Sequence, residues 1–158
     1  SADAESRGMI GVISDTHGLL RPEALDALRG VSCILHAGDV GDADVLAGLG
    51  ELAPVTAIRG NVDTRPWSRS LPEQLTVMLE GLRIRMVHDL TDLTEDARAG
   101  WDVVVSGHSH RPLIERRADT LFLNPGSAGR RRFRLPVTLA HLWREDGMAQ
   151  ARLIDLPV

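Results

Sequence analysis

Short apolar runs, punctuated by glycine, proline, aspartate and asparagine, recur along this chain, and their spacing predicts its elements. Met9–Ser14 reads as a strand. A helix follows from about Pro22, a residue suited to the first helical position, to a C-terminal Gly30. Cys33–His36 reads as a second strand and leads to a helix opened by Asp42, carried by Val45, Leu46 and Leu49, and closed by Gly50. A third strand is expected at Val55–Ile58. Strands and helices alternating with short connections predict a parallel sheet with right-handed crossovers.

The second half is patterned differently. Leu75–Leu79 and Arg83–Val87 alternate apolar and polar positions around Glu80-Gly81, a hairpin signal. A short helix is expected to start at Asp92, with Glu95 three residues later completing a capping box. Strand-like segments follow at Val103–Ser106, Leu113–Arg117, Leu121–Leu123, Val137–Trp143 and Ala149–Ile154. A parallel half and a more antiparallel half together predict an α/β fold of two packed, mixed β-sheets with helices outside.

Groups able to bind metal stand where these runs end. Asp15 and His17 follow the first strand, Asp39 the second and Asn61 the third, while His88, His108 and His110 follow later ones. Ligand sites of open α/β sheets form beyond the carboxyl ends of strands. In extended backbone, residues i and i+2 point the same way, so Asp15/His17 and His108/His110 would each deliver two ligands together. Singly the residues have plainer readings: Asp15 or Asp39 as a turn or helix cap, Asn61 as turn chemistry, His88 as a structural histidine. The pairing favours a metal site. Carboxylate, imidazole and amide donors suit a pair of borderline divalent ions, and the absence of cysteine among the candidate ligands argues against a structural zinc site.

Composition narrows the classes. The 158 residues suit one domain, expected over 8–158, with Ser1–Arg7 a flexible N-terminus lacking the apolar segment of a secretion signal. Apolar content of 43% and charged content of 25% are ordinary, and no run approaches a membrane span. A net charge of -4 gives no pull toward nucleic acid or an anionic membrane. The lone Cys33, in an apolar run, reads as a buried thiol in a reducing cytoplasm. All 18 basic residues are arginine.

Five separated patterns then carry a resemblance: Asp15-Thr16-His17, Gly38-Asp39, Gly60-Asn61, His88, and Gly107-His108-Ser109-His110. In this order the chain resembles a calcineurin-like metallophosphoesterase, of the small single-domain phosphodiesterase branch that also includes a retromer subunit. The resemblance implies a four-layer α/β/β/α sandwich and two divalent ions, Mn²⁺ first, with Ni²⁺, Fe²⁺, Zn²⁺ or Mg²⁺ as alternatives. It implies that Asp15, His17 and His110 hold the first ion, that Asn61, His88 and His108 hold the second, and that Asp39 bridges. Asp39, Asn61 and His88 are then the catalytic residues. The implied reaction is hydrolysis of a small phosphodiester through a metal-bridging hydroxide. A nuclease of the same chemistry and a non-catalytic protein-binding scaffold are the alternatives. Nucleic acid is disfavoured as a partner, no membrane partner is expected, and a homo-oligomer is left open.

Two departures modify that expectation. Many phosphatases of the superfamily place a histidine after Gly-Asn, where this chain has Val62 and Asp63. Asp89 and Leu90 follow His88, where the branch has Gly-His. Leaving-group protonation by a neighbouring histidine is thereby removed, which predicts a bias toward esters with stable leaving groups. Beyond the Asn124–Ser127 turn, Arg130 and Arg131 open the run Arg130-Arg131-Arg132-Phe133-Arg134 and are candidate phosphate-binding residues.

Overall fold

The computed structural model describes residues 8–158, so the expected flexible segment 1–7 lies outside the described residues. Ten strands form two five-stranded sheets. The first sheet has the order β10-β9-β1-β2-β3, built from β1 (Ile10–Ile13), β2 (Cys33–His36), β3 (Val55–Ala57), β9 (Thr138–Glu145) and β10 (Met148–Asp155). The second has the order β4-β5-β6-β8-β7, from β4 (Gln74–Leu79), β5 (Leu82–Val87), β6 (Val103–Val105), β7 (Leu113–Arg117) and β8 (Thr120–Asn124).

β1 and β2 are buried along their whole length, as expected for strands covered on both faces. Their parallel register runs from Ile10 opposite Cys33 to Ile13 opposite His36. One side of this sheet, through Ile10, Val12, Cys33 and Leu35, meets Leu82, Ile84, Met86, Val103, Val105, Leu121 and Leu123 of the second sheet. Its other side, through Ile13 and Ile34, packs under α1 (Pro22–Ala27) and α2 (Ala43–Gly50), which contribute Ala24, Val45 and Leu49. A smaller cluster of Val87, Leu93, Val104 and Phe122 covers the outside of the second sheet, beside the one-turn α3 (Glu95–Arg98). The four layers are present, the last of them thin. No helix of the described residues is long and apolar enough to cross a membrane.

Both sheets are mixed, as expected: β9 returns to pair antiparallel with β1, and parallel and antiparallel neighbours occur in each sheet. Two expectations need correction. The first helix stops at Ala27 and reaches Gly30 through a turn, with Gly30 at φ 84°. The capping box at Asp92 does not form. Asp89 instead accepts from the Thr91 N–H and starts a 3-10 turn at Leu90–Asp92, and Thr94 caps α3 by accepting from the Ala97 N–H. The hairpin at Glu80-Gly81 does form, with both residues at positive φ (52° and 80°), the requirement of a type I′ turn.

Candidate metal centre

The carboxyl ends of β1, β2, β3, β5, β6 and β8 converge at one edge of the sandwich. Backbone hydrogen bonds tie their loops together: Asp15 N–H to the Gly38 carbonyl, His17 N–H to the Asp39 carbonyl, Gly107 N–H to the His88 carbonyl, and Ala128 N–H to the Ser14 carbonyl. Asp15, His17 and His110 come together in one group and Asp39, His88 and His108 in another, with the ligand atoms of each group within 4.8 Å of one another. Asn61 stands beside the second group, on the wall of a cavity that His88 and His108 also line.

The two groups meet at the carboxylates. Asp39 Oδ2 lies 3.1 Å from His88 Nε2 and 3.8 Å from His17 Nε2. Asp15 Oδ1 lies 3.4 Å from His110 Nε2, 3.8 Å from His17 Nε2 and 3.9 Å from His88 Nε2. One oxygen of each acid thus faces both groups, while the other is anchored. Asp15 Oδ2 accepts from Ser14 Oγ (2.6 Å) and the His108 N–H (3.1 Å), and Asp39 Oδ1 accepts from the Val62 N–H (3.0 Å).

The ligand pairs do not arrive by strand alternation. Asp15, His17, Asp39, His108 and His110 all hold left-handed backbone, with φ of 55°, 47°, 54°, 71° and 61°. Each such residue costs on the order of 1–3 kcal/mol unless its surroundings dictate it. Gathering five of them in one place trades stability for convergence. Glycine gives the neighbouring backbone its close approach: a Cβ on Gly60 would lie 2.1 Å from Asp39 Oδ1, and one on Gly107 2.2 Å from Ser14 Oγ.

The donor set fits bound cations. Asp15 Oδ1, His17 Nε2, His88 Nε2 and His110 Nδ1 are buried without a hydrogen-bond partner, an arrangement that is costly unless something positive completes it. The Nδ1–H of His88 donates to the Ala37 carbonyl (2.7 Å), which leaves the Nε2 lone pair aimed at the centre. Burial opposes a charge on His88. The Asp39 carboxylate 3.1 Å from Nε2 and the hydrogen bond to the Ala37 carbonyl, with Asp15 nearby, outweigh it and raise the pKa to about 9. His17 is also raised, chiefly by the Asp15 carboxylate 3.8 Å away. His110 is lowered by burial, and Arg132 pushes the same way.

A cation bound by these groups would therefore displace protons. Ligation requires neutral His88, so apparent affinity falls as pH drops below about 9. The expected change is about tenfold per pH unit for each proton displaced. Titration calorimetry with Mn²⁺ at pH 7, in buffers of different ionisation enthalpy, should show close to one proton released from His88 and a further fraction from His17. Heats independent of the buffer would refute this.

Residues outside the candidate ligand set hold it in place. His36 is fully buried and neutral, its pKa pushed by burial down to about 4. Its Nδ1 accepts from the Gly38 N–H, and its Nε2–H meets Thr16 Oγ1, which donates to the Val40 carbonyl. Asp63 accepts from the N–H groups of Val40, Gly41 and Gly60. Ser127 Oγ donates to the Asp15 carbonyl and the Asn124 amide to the Gly107 carbonyl. Sequence reading missed Ser14, Thr16 and Ser127. Their one signal is that polar side chains stand directly beside the motifs. Arg130 and Arg131 are exposed, line neither the cavity nor the ligand groups, and Arg131 donates to the Val158 carbonyl. Arg132 is the member of the run whose charge reaches His17 and His110.

Comparison with known proteins identifies the family and the fold. Residues 9–147 match the family model of the calcineurin-like phosphoesterase superfamily domain. The chain is similar to a probable metallophosphoesterase of Methanothermobacter thermautotrophicus, at 40% identity over 132 residues, covering 75% of this chain and 76% of the relative. It is also similar to phosphodiesterase YfcE of Escherichia coli, at 31% identity over 144 residues, covering 72% and 76%. Among solved structures, an archaeal phosphodiesterase superposes with a TM-score of 0.77 at 24% identity, covering 92% of this chain and 99% of that one. Zinc-complexed Vps29 from Entamoeba histolytica superposes with a TM-score of 0.71 at 22% identity, covering 93% and 98%. At these identities the structures share its fold.

Proposed function

Because the chain belongs to the calcineurin-like phosphoesterase superfamily, we propose that residues 8–158 act as one unit, a cytoplasmic phosphodiesterase using two divalent cations, Mn²⁺ foremost. Asp15, His17 and His110 would hold one cation, and Asn61, His88 and His108 the other, with Asp39 shared. The observation that carries this reading is the pair of ligand groups meeting at Asp15 Oδ1 and Asp39 Oδ2, with their buried donors unpartnered. Cations bound there would neutralise phosphate charge and acidify a shared water.

The chain's own residues supply the rest. Ser14, the His108 N–H and the Val62 N–H fix the carboxylates, and Ala37 fixes the ring of His88. Asn61, exposed and lining the cavity, would contact a phosphate oxygen. Hydrolysis consumes one water, makes one P–O bond, breaks another, and releases an alcohol and a phosphomonoester. Val62 follows Asn61 and offers the departing oxygen no proton. A leaving group that departs as a stable anion is therefore favoured.

The test is a panel of esters with metal-stripped protein and Mn²⁺, Ni²⁺, Zn²⁺ or Mg²⁺ added back. Bis(4-nitrophenyl) phosphate should be turned over roughly a hundredfold faster than an alkyl monoester, since general-acid assistance is worth about 10²–10⁴. Faster turnover of the alkyl monoester would overturn the assignment. Of the arginine run, Arg132→Ala should raise KM most, severalfold, and Arg130→Ala and Arg131→Ala less, because only Arg132 is felt at the ligand histidines. Unchanged KM in all three would remove the run from the site.

A further inference from the structure

The cavity beside the second ligand group has a volume of about 520 Å³, large enough for more than a phosphate. His88, whose buried Nε2 lacks a hydrogen-bond partner, lines it together with His108 and Asn61. The outer wall is acidic. Arg59 is the arginine of that wall, and Glu73 neutralises it at 3.2 Å. Asp89 is held by the N–H (3.0 Å) and hydroxyl (2.8 Å) of Thr91, and its Oδ2 stands 3.6 Å from His108 Nε2. Asp92 follows on the same 3-10 turn, tied to Asp89 through the backbone, with its side chain exposed. No arginine of the described residues pairs with either acid. The inward acid, Asp63, spends its oxygens on three backbone N–H groups and presents little to the cavity.

We propose that this rim selects substrate by charge: the cavity takes the alcohol portion of a phosphodiester and favours one bearing a cationic ammonium group over one bearing a carboxylate or a further phosphate. The proposal rests on the phosphodiesterase reading and narrows it to esters of amino alcohols. A pair of carboxylates attracts an ammonium and repels an anion at the same distance, so the two substituents separate even where each contact is modest. The same rim disfavours polyanions such as nucleic acid, whose binding needs phosphate-neutralising contacts.

The test uses manganese-loaded protein and three 4-nitrophenyl phosphodiesters sharing one leaving group, with choline, ethanol or glycolate as the second alcohol. The choline ester should exceed the glycolate ester in kcat/KM by about tenfold, with the ethyl ester between. Asp92→Asn should shrink that ratio about threefold, Asp92→Arg should reverse it, and added salt should compress it in the parent protein. The side chain of Asp92 makes no hydrogen bond or ion pair among the described residues, so these variants retain the fold. A calorimetric titration with phosphocholine and phosphoglycolate reads the same preference as binding, without turnover. A choline-to-glycolate ratio near one, or one that Asp92→Arg leaves unchanged, overturns the charge selection. If none of the diesters is hydrolysed with any cation, the phosphodiesterase reading fails instead, and the titration still decides whether the rim discriminates.

Discussion

Replacing Asp39 by asparagine should lower diester hydrolysis roughly a thousandfold and reduce Mn²⁺ stoichiometry from two per chain to one. Asp39 Oδ2 lies within 4 Å of a histidine of each group, and its other oxygen is taken by the Val62 N–H. An amide in its place keeps the volume and one acceptor but loses the charge that would draw two cations together. Asparagine is the informative substitution because position 39 has φ 54°, a conformation asparagine tolerates and alanine does not. The variant should therefore fold, and circular dichroism should match the parent. A second readout needs no cation. In the metal-free protein, NMR titration of His88 should show its pKa falling from about 9 toward or below the ordinary histidine value, because burial now acts without the carboxylate that opposed it. Retention of two bound cations together with an unmoved His88 pKa would contradict the shared role of Asp39.

The parts of this molecule that follow from local pattern were legible in the sequence. β1 and β2 are continuous apolar runs, Asp42 caps α2 through its side chain, and Glu80-Gly81 closes its hairpin as the pattern demands. The pairing of β9 with β1 was not legible, because register between distant strands is set by tertiary packing rather than by local spacing. Asp146-Gly147 was a readable signal: it forms the tight turn between β9 and β10, with φ of 53° and 78°. The site shows the same division. Its ligand candidates could be named from motifs at strand ends, but the conformation that gathers them could not. Asp15, His17, His108 and His110 converge through left-handed backbone held by long-range contacts, such as the Ser127 hydroxyl on the Asp15 carbonyl. The tight spacing of glycine and ligand in Gly60-Asn61 and Gly107-His108 also acquires a reason only in three dimensions. These backbones lie against the carboxylates of Asp39 and Asp15, where no side chain fits.

The Asp63 carboxylate takes its hydrogen bonds from backbone N–H groups and clamps two loops. Its Oδ2 accepts from the N–H groups of Val40 (3.0 Å) and Gly60 (2.9 Å), and its Oδ1 from that of Gly41 (2.9 Å). One buried carboxylate thereby locks the loop carrying Asp39 to the loop carrying Asn61, and its own carbonyl accepts from Ser68 Oγ. Replacing it with alanine leaves three donors unmet. At about 1–3 kcal/mol for each unsatisfied buried donor, the expected loss is roughly 3–9 kcal/mol, a fall in Tm of at least about 10 °C for a chain of this size. Asparagine in the same place offers one oxygen. It can serve Val40 and Gly60 but turns an amide N–H toward Gly41, so it should fall between the parent and alanine. Because Asp63 lies behind the ligands rather than among them, Mn²⁺ affinity should fall by about 10–100-fold even where the variant remains folded. Differential scanning of the metal-free proteins and cation titration below Tm measure the two effects separately. A variant that melts early but binds cations as the parent does would confine Asp63 to the scaffold. One that loses both would tie the stability of these loops to the spacing of the site.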